Sequence, residues 1–139
     1  EAVPTDDFTD KQTVEFRCPD GSADIYLLLA GLTVAARHGF EMENALQFAK
    51  DTYVDVNIFS EEFKDKLHKL DTLPFSCWAS AEMLEKQADI YKKHNVFSQQ
   101  IIDGIVNNLK KFNDHDLRAR LKDDKVGMLD LVERYFHCG

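Results

Sequence analysis

Polar and apolar positions along the chain change period once. Over Thr13–Cys18, Val14, Phe16 and Cys18 alternate with Thr13, Glu15 and Arg17. Period two with β-branched and aromatic residues predicts a strand over 13–18. Pro19-Asp20-Gly21 supplies turn chemistry that ends it. From residue 22 onward the spacing is helical. Ser22 is the expected cap of a first helix, with Asp24 in its first turn and Gly39 as its left-handed stop. Ile25, Leu28, Leu29 and Leu32 form one stripe of that helix, and Tyr26, Leu27, Ala30 and Val34 make the other sides apolar. A helix apolar nearly all round is expected to be buried.

Further helices follow from the same spacing. A short one holds Met42, Ala45, Leu46 and Ala49. Another is capped by Ser60 and carries Phe63, Leu67 and Leu70 on one face. After Pro74 a long helix aligns Leu84, Ala88 and Tyr91. Ser98 caps the clearest helix, striped by Ile101, Ile102, Ile105, Leu109 and Phe112, with Phe97 placed to staple onto Ile102. A weaker segment holds Leu117 and Leu121. The last helix shows Met128, Leu129, Val132, Tyr135 and Phe136.

A single strand cannot pair its own backbone or bury a face. The expected fold class is therefore mainly α: a helical region, 22–139, preceded by one strand that belongs to the α+β sheet of a larger domain ending at residue 21. Before the strand, Pro4, Asp6, Asp7 and Asp10 mark an irregular arm. The helical stripes alone would equally suit a free-standing helical interaction module without catalysis.

Composition narrows the class. Hydrophobic residues make up 44% of the chain and charged residues 30%, as in soluble globular proteins. The longest apolar run, Ile25–Ala36, is interrupted by Gly31 and Thr33 and is shorter than the roughly 20 residues that span a bilayer. The acidic, polar opening Glu1–Lys11 is unlike a signal peptide. The formal net charge is −8, and lysines lie dispersed among acidic residues, which argues against a nucleic-acid surface. Cys18, Cys77 and Cys138 form an odd, sparse set expected to stay reduced.

One segment suggests chemistry: Glu15-Phe16-Arg17-Cys18-Pro19-Asp20-Gly21-Ser22. On a strand, Glu15 and Arg17 share a face roughly 6.5–7 Å apart, and Val14 and Phe16 take the core side. A carboxylate beside a guanidinium could hold a divalent cation and an anionic substrate. Spacing alone favours the plainer reading, a solvent-facing strand with two charges.

The segment resembles the E-[FLI]-R-x-P-D stretch of glutamine synthetases. Ala30-Gly31 and Ala35-Ala36-Arg37-His38-Gly39 extend the likeness. Asp24-Ile25 replaces the family's usual Asn-Pro, a departure similar to the type III branch. So are Ala35–Phe40 and the closing Tyr135-Phe136-His137-Cys138-Gly139. The resemblance implies the C-terminal part of a cytoplasmic enzyme that ligates ammonia to glutamate with ATP, through a γ-glutamyl phosphate. It implies Mg²⁺ or Mn²⁺ as cofactor and a ring-shaped homo-oligomer; no nucleic-acid or membrane partner is expected, on the dispersed charges and the short apolar runs noted above. By the same resemblance Glu15 is one metal ligand, and Arg17 is the catalytic and substrate-binding arginine. The other metal and nucleotide ligands of the family lie upstream of this segment, so the isolated chain is expected to be inactive.

Other candidates have plainer explanations. His137 and Cys138 are adjacent and do not make a tetrahedral zinc site. His38 suits the end of a helix. Cys77 beside Trp78 has no basic activator and is expected to be a plain buried thiol. His68, His94 and His115 are expected to be solvated.

Overall fold

The computed structural model describes residues 13–54 and 70–137. The helix expected after Ser60 lies outside them. Asp24 opens α1 (Ile25–Glu41), its Oδ1 accepting the Leu27 amide at 3.0 Å. Ser22 is not the cap, because Asp20 Oδ1 accepts both its amide and its hydroxyl. Those two bonds, the hydroxyl first, hold the Asp20 carboxyl below its ordinary range. Gly39 does not stop the helix, which runs two residues further before Met42 becomes extended. Glycine permits the left-handed stop but does not impose it. Met42 therefore lies outside α2 (Ala45–Thr52), which contains the other expected positions, Ala45, Leu46 and Ala49.

Ser76 Oγ accepts the Ala79 amide at 3.0 Å and opens α3 (Cys77–Lys86). The single long helix expected through Tyr91 is divided at Gln87 (φ −99°, ψ 8°), and α4 (Ala88–Lys92) continues beyond it. Leu84, Ala88 and Tyr91 still line up against the core. A 3₁₀ turn, Lys93–Asn95, then reverses the chain, with His94 at φ 69° and Asn95 at φ 58°. As expected, Ser98 caps α5 (Gln99–Lys110), its Oγ accepting the Ile101 amide at 3.2 Å. Two further helices follow, α6 (Leu117–Arg120) and α7 (Lys125–Tyr135). Asp124 caps α7 through the Gly127 amide.

The core is small. Val34 of α1, Ala81 of α3, Phe97, and Ile102 and Val106 of α5 are buried. Ala30, Leu84, Ala88, Ile90, Tyr91 and Leu109 pack around them. The most extensive helix pair is α3 with α5, and Ala81, wholly inaccessible, is the small residue at their approach. Phe97 meets Tyr91 edge to face, with ring centroids 5.7 Å apart. The buried face of α5 is turned slightly from the expected stripe. Val106 is in the core, whereas Ile101 and Phe112 are exposed.

Helix α1 rests on α4 through one side only. Val34 is buried and Ala30 partly so, but Ile25, Tyr26, Leu29 and Phe40 are exposed. The expectation of an all-round buried helix is therefore not met within this chain. Its apolar sides need more partner surface than α2 and α4 provide.

The C-terminal end of α1 is tied down by charge. Glu41 accepts from Lys93 Nζ at 2.6 Å and from Arg37 Nε at 2.9 Å, and His94 Nε2 lies 3.2 Å away. His94 is thus partnered rather than merely solvated. Lys93 first, then Arg37, draw the Glu41 carboxyl from its ordinary 4.5 down to about 2. A carboxylate lowered on folding adds stability above its unfolded value, and that contribution disappears as pH falls through the folded one. Thermal melts between pH 4.5 and 2 should therefore show the wild-type protein losing stability faster than Glu41→Gln. The two should converge near pH 2. Parallel curves across that window would refute the linkage.

Candidate functional site

No strand is present among the described residues. Thr13–Cys18 precedes the Asp20 turn without strand pairing, and no backbone hydrogen bond is made by it to other described residues. Val14 is 98% exposed and Phe16 about half exposed, so the expected core side of this segment faces no core here. The physical reason is the one that makes any solitary strand unstable: among the described residues there is neither a ladder partner nor an apolar layer to cover it.

Glu15 and Arg17 do lie together. Arg17 Nε donates to Glu15 Oε1 at 2.8 Å, and Arg17 Nη2 donates to Oε2 at 3.0 Å. This is the fork-on-fork arrangement of guanidinium and carboxylate. Both side chains are largely exposed, 81% for Arg17 and 68% for Glu15. An exposed pair of this kind contributes at most about 1 kcal/mol. It is therefore readily exchanged for a stronger partner, such as a cation for Glu15 or a phosphoryl or carboxylate group for Arg17.

The donor chemistry at Glu15 suits a hard divalent cation, but one carboxylate is a small part of the six or so oxygen ligands such an ion takes. Among the described residues no group of three or more His, Cys, Asp or Glu side chains is arranged to hold a metal. A cation held at Glu15 needs further oxygen ligands, and no cluster of carboxylates among the described residues supplies them.

The other candidates find structural uses. Cys77 is partly buried, and burial first, then the nearby Asp114 charge, push its thiol upward, away from nucleophilic chemistry. Cys18 is exposed, and both thiols are free. His115 packs against Trp78 at a tilt, with ring centroids 5.2 Å apart and 53° between the planes. His38 is half-buried in the last turn of α1. His137 sits edge to face with Phe136, while Cys138 and His68 lie outside the described residues.

Asp114 is a residue the sequence patterns did not single out. Its Oδ2 accepts the Cys77 amide at 2.7 Å and its Oδ1 the Trp78 amide at 3.0 Å. Burial pulls this carboxyl upward, but the Cys77 and Trp78 amides, with its own amide and the Cys77 thiol, together outweigh it and leave it below its ordinary range. Asp114 thus joins the end of α5 to the start of α3, where the helix dipole favours a negative charge. Beside it, Pro74, Met83, Leu117, Leu121, Met128 and Leu131 line an open, largely apolar cavity. The Glu15–Arg17 pair is not part of that cavity's wall.

No described helix is long and apolar enough to cross a membrane. Comparison with known families gives a match to the model of the glutamine synthetase catalytic domain over residues 3–128. The chain is also similar to a glutamine synthetase of Thermococcus kodakarensis, 32% identical over 78 residues. That similarity covers 55% of this chain and 17% of the archaeal protein. No solved structure matches the chain.

Proposed function

The chain belongs to the glutamine synthetase catalytic-domain family, and from that premise we propose that it supplies the Glu15–Arg17 segment to an ATP-dependent glutamate–ammonia ligase. The observation that carries the reading is a family match that includes this segment, together with the forked pairing of its carboxylate and guanidinium. The matched region amounts to 17% of the archaeal relative's length. The activity is accordingly proposed for a whole protein, to which this chain contributes a part.

In that protein the γ-phosphoryl group of ATP passes to the side-chain carboxylate of glutamate, releasing ADP. Ammonia then attacks the acyl carbon and phosphate leaves. Glu15 would contribute one oxygen ligand to Mg²⁺ or Mn²⁺, an ion that neutralises phosphate charge when bound. Arg17 would meet the negative charge of the glutamate carboxylate or of the transferring phosphoryl oxygens. Preorganised charge of this kind is the main protein contribution to phosphoryl transfer. The type III branch, the ring-shaped homo-oligomer and the cytoplasmic location are proposed on the sequence resemblance alone.

The full-length protein should convert glutamate, ATP and ammonia to glutamine and phosphate, with phosphate release dependent on both ammonia and a divalent cation. The 139-residue chain alone should convert none. Ammonia-independent ATP hydrolysis by the full-length protein, or glutamine formation by the short chain, would overturn the proposal.

A further inference from the structure

Helix α3 uses two opposite faces. Ala81 and Leu84 turn towards the core that it shares with α5. Ala79, Glu82, Met83 and Lys86, spaced i, i+3, i+4 and i+7, fall on the other face and form one wall of the cavity beside Asp114. Leu117, Arg118 and Leu121, with Met128 and Leu131 of α7, line it as well. The space is about 800 Å³, the size of a small-ligand site, and its surface is mostly apolar. Its acids are already engaged. Glu82 stands four residues before Lys86, a spacing that favours an ion pair across one helical turn, yet it accepts from Trp78 Nε1 at 3.3 Å. Asp114 gives both oxygens to the Cys77 and Trp78 amides. Neither acid of the wall takes Lys86 or Arg118 as its partner. An ammonium and a guanidinium therefore border an apolar hollow whose carboxylates are held elsewhere.

The geometry points to this cavity as a binding site for a small amphipathic anion, a carboxylate carried on an aliphatic chain. The chain lies against Met83, Leu121 and Leu131, where the unbranched methionines adapt to its length and shape. The carboxylate meets the planar fork of Arg118, and Lys86 adds positive charge from the α3 wall. A neutral chain gains the apolar contacts alone, and a cationic one faces two like charges. Neither Glu15 nor Arg17 lines the cavity, so this site stands apart from the ligase reading and is tested without turnover.

The test is isothermal titration calorimetry of the full-length protein with octanoate, using octanol and octylammonium as the neutral and cationic counterparts. Octanoate should saturate one site per chain with a Kd below about 1 mM, and octylammonium should show no saturable binding over that range. Arg118→Gln should weaken octanoate by about tenfold, the loss of one charge-assisted contact, and leave octanol unchanged. Arg118 is exposed, so this variant keeps the fold. Met83→Trp, which fills the hollow and preserves its apolar character, should abolish saturation, with circular dichroism confirming its helices. Absence of saturable octanoate binding would overturn the inference. Equal binding of octylammonium, or unchanged octanoate affinity in folded Arg118→Gln, would overturn it too.

Discussion

Arg17→Ala in the full-length protein should lower turnover by roughly 10²–10³, the loss that follows removal of one preorganised charge contact in a transition state. Folding should be nearly untouched. The Arg17 side chain is largely exposed, and its forked bond to Glu15 is an exposed pair worth at most about 1 kcal/mol. Glu15→Gln should have a comparable effect on turnover, since it keeps the shape of the side chain and removes its charge. It should also raise the divalent cation concentration needed for activity, which Arg17→Ala should not. Arg17→Lys should recover only part of the loss, because an ammonium cannot reproduce the planar fork. Steady-state kinetics with a cation titration, beside a thermal melt, separates these outcomes. Near-normal turnover in folded Arg17→Ala and Glu15→Gln would show that the pair is ordinary surface.

Ile102→Ala should destabilise the folded protein by about 2–5 kcal/mol. Ile102 is 1% exposed and belongs to the same buried cluster as Ala81, Phe97 and Val106. Truncating it removes three carbons from a site whose neighbours are held by helix geometry and cannot easily close the gap. Ile101→Ala, one residue away on an exposed face, should cost under about 1 kcal/mol. Comparing the two by urea midpoint tests the rotation of the buried face directly. Equal losses would mean that both residues share in the core.

The rotation also shows what the sequence could and could not convey. Ser98 was legible as a cap because its bond to the Ile101 amide is local, three residues apart. The stripe of α5 was legible as a stripe, but its centre depended on where α3 lies, and that is a tertiary fact. Ser22 failed as a cap because Asp20 competed for it at still shorter range. The division at Gln87 left no trace, since Leu84, Ala88 and Tyr91 stay in helical phase across it. Glu41 with Lys93 and Asp114 with Cys77 span 52 and 37 residues, distances over which no local pattern speaks. At Thr13–Cys18 the alternation reads as a strand, yet strand pairing needs a neighbour, and none lies among the described residues. The adjacency of Glu15 and Arg17, by contrast, requires only an i, i+2 spacing and is present in the structure.

The seating of α1 on α4 has a consequence for the order in which the polypeptide matures during synthesis. Val34 is covered by a cluster whose last member, Val106, lies about 70 residues later in the chain. At roughly 5–20 residues per second, α1 leaves the ribosome some 4–14 s before that cover has been made. The α3–α5 hairpin, closed by Asp114 across 37 residues, involves contacts of shorter range and should form quickly once translated. During the interval the apolar helix stands bare on both sides, unless the earlier-made part of the protein shelters it. This is the window in which a nascent chain is most exposed to chaperone capture or aggregation.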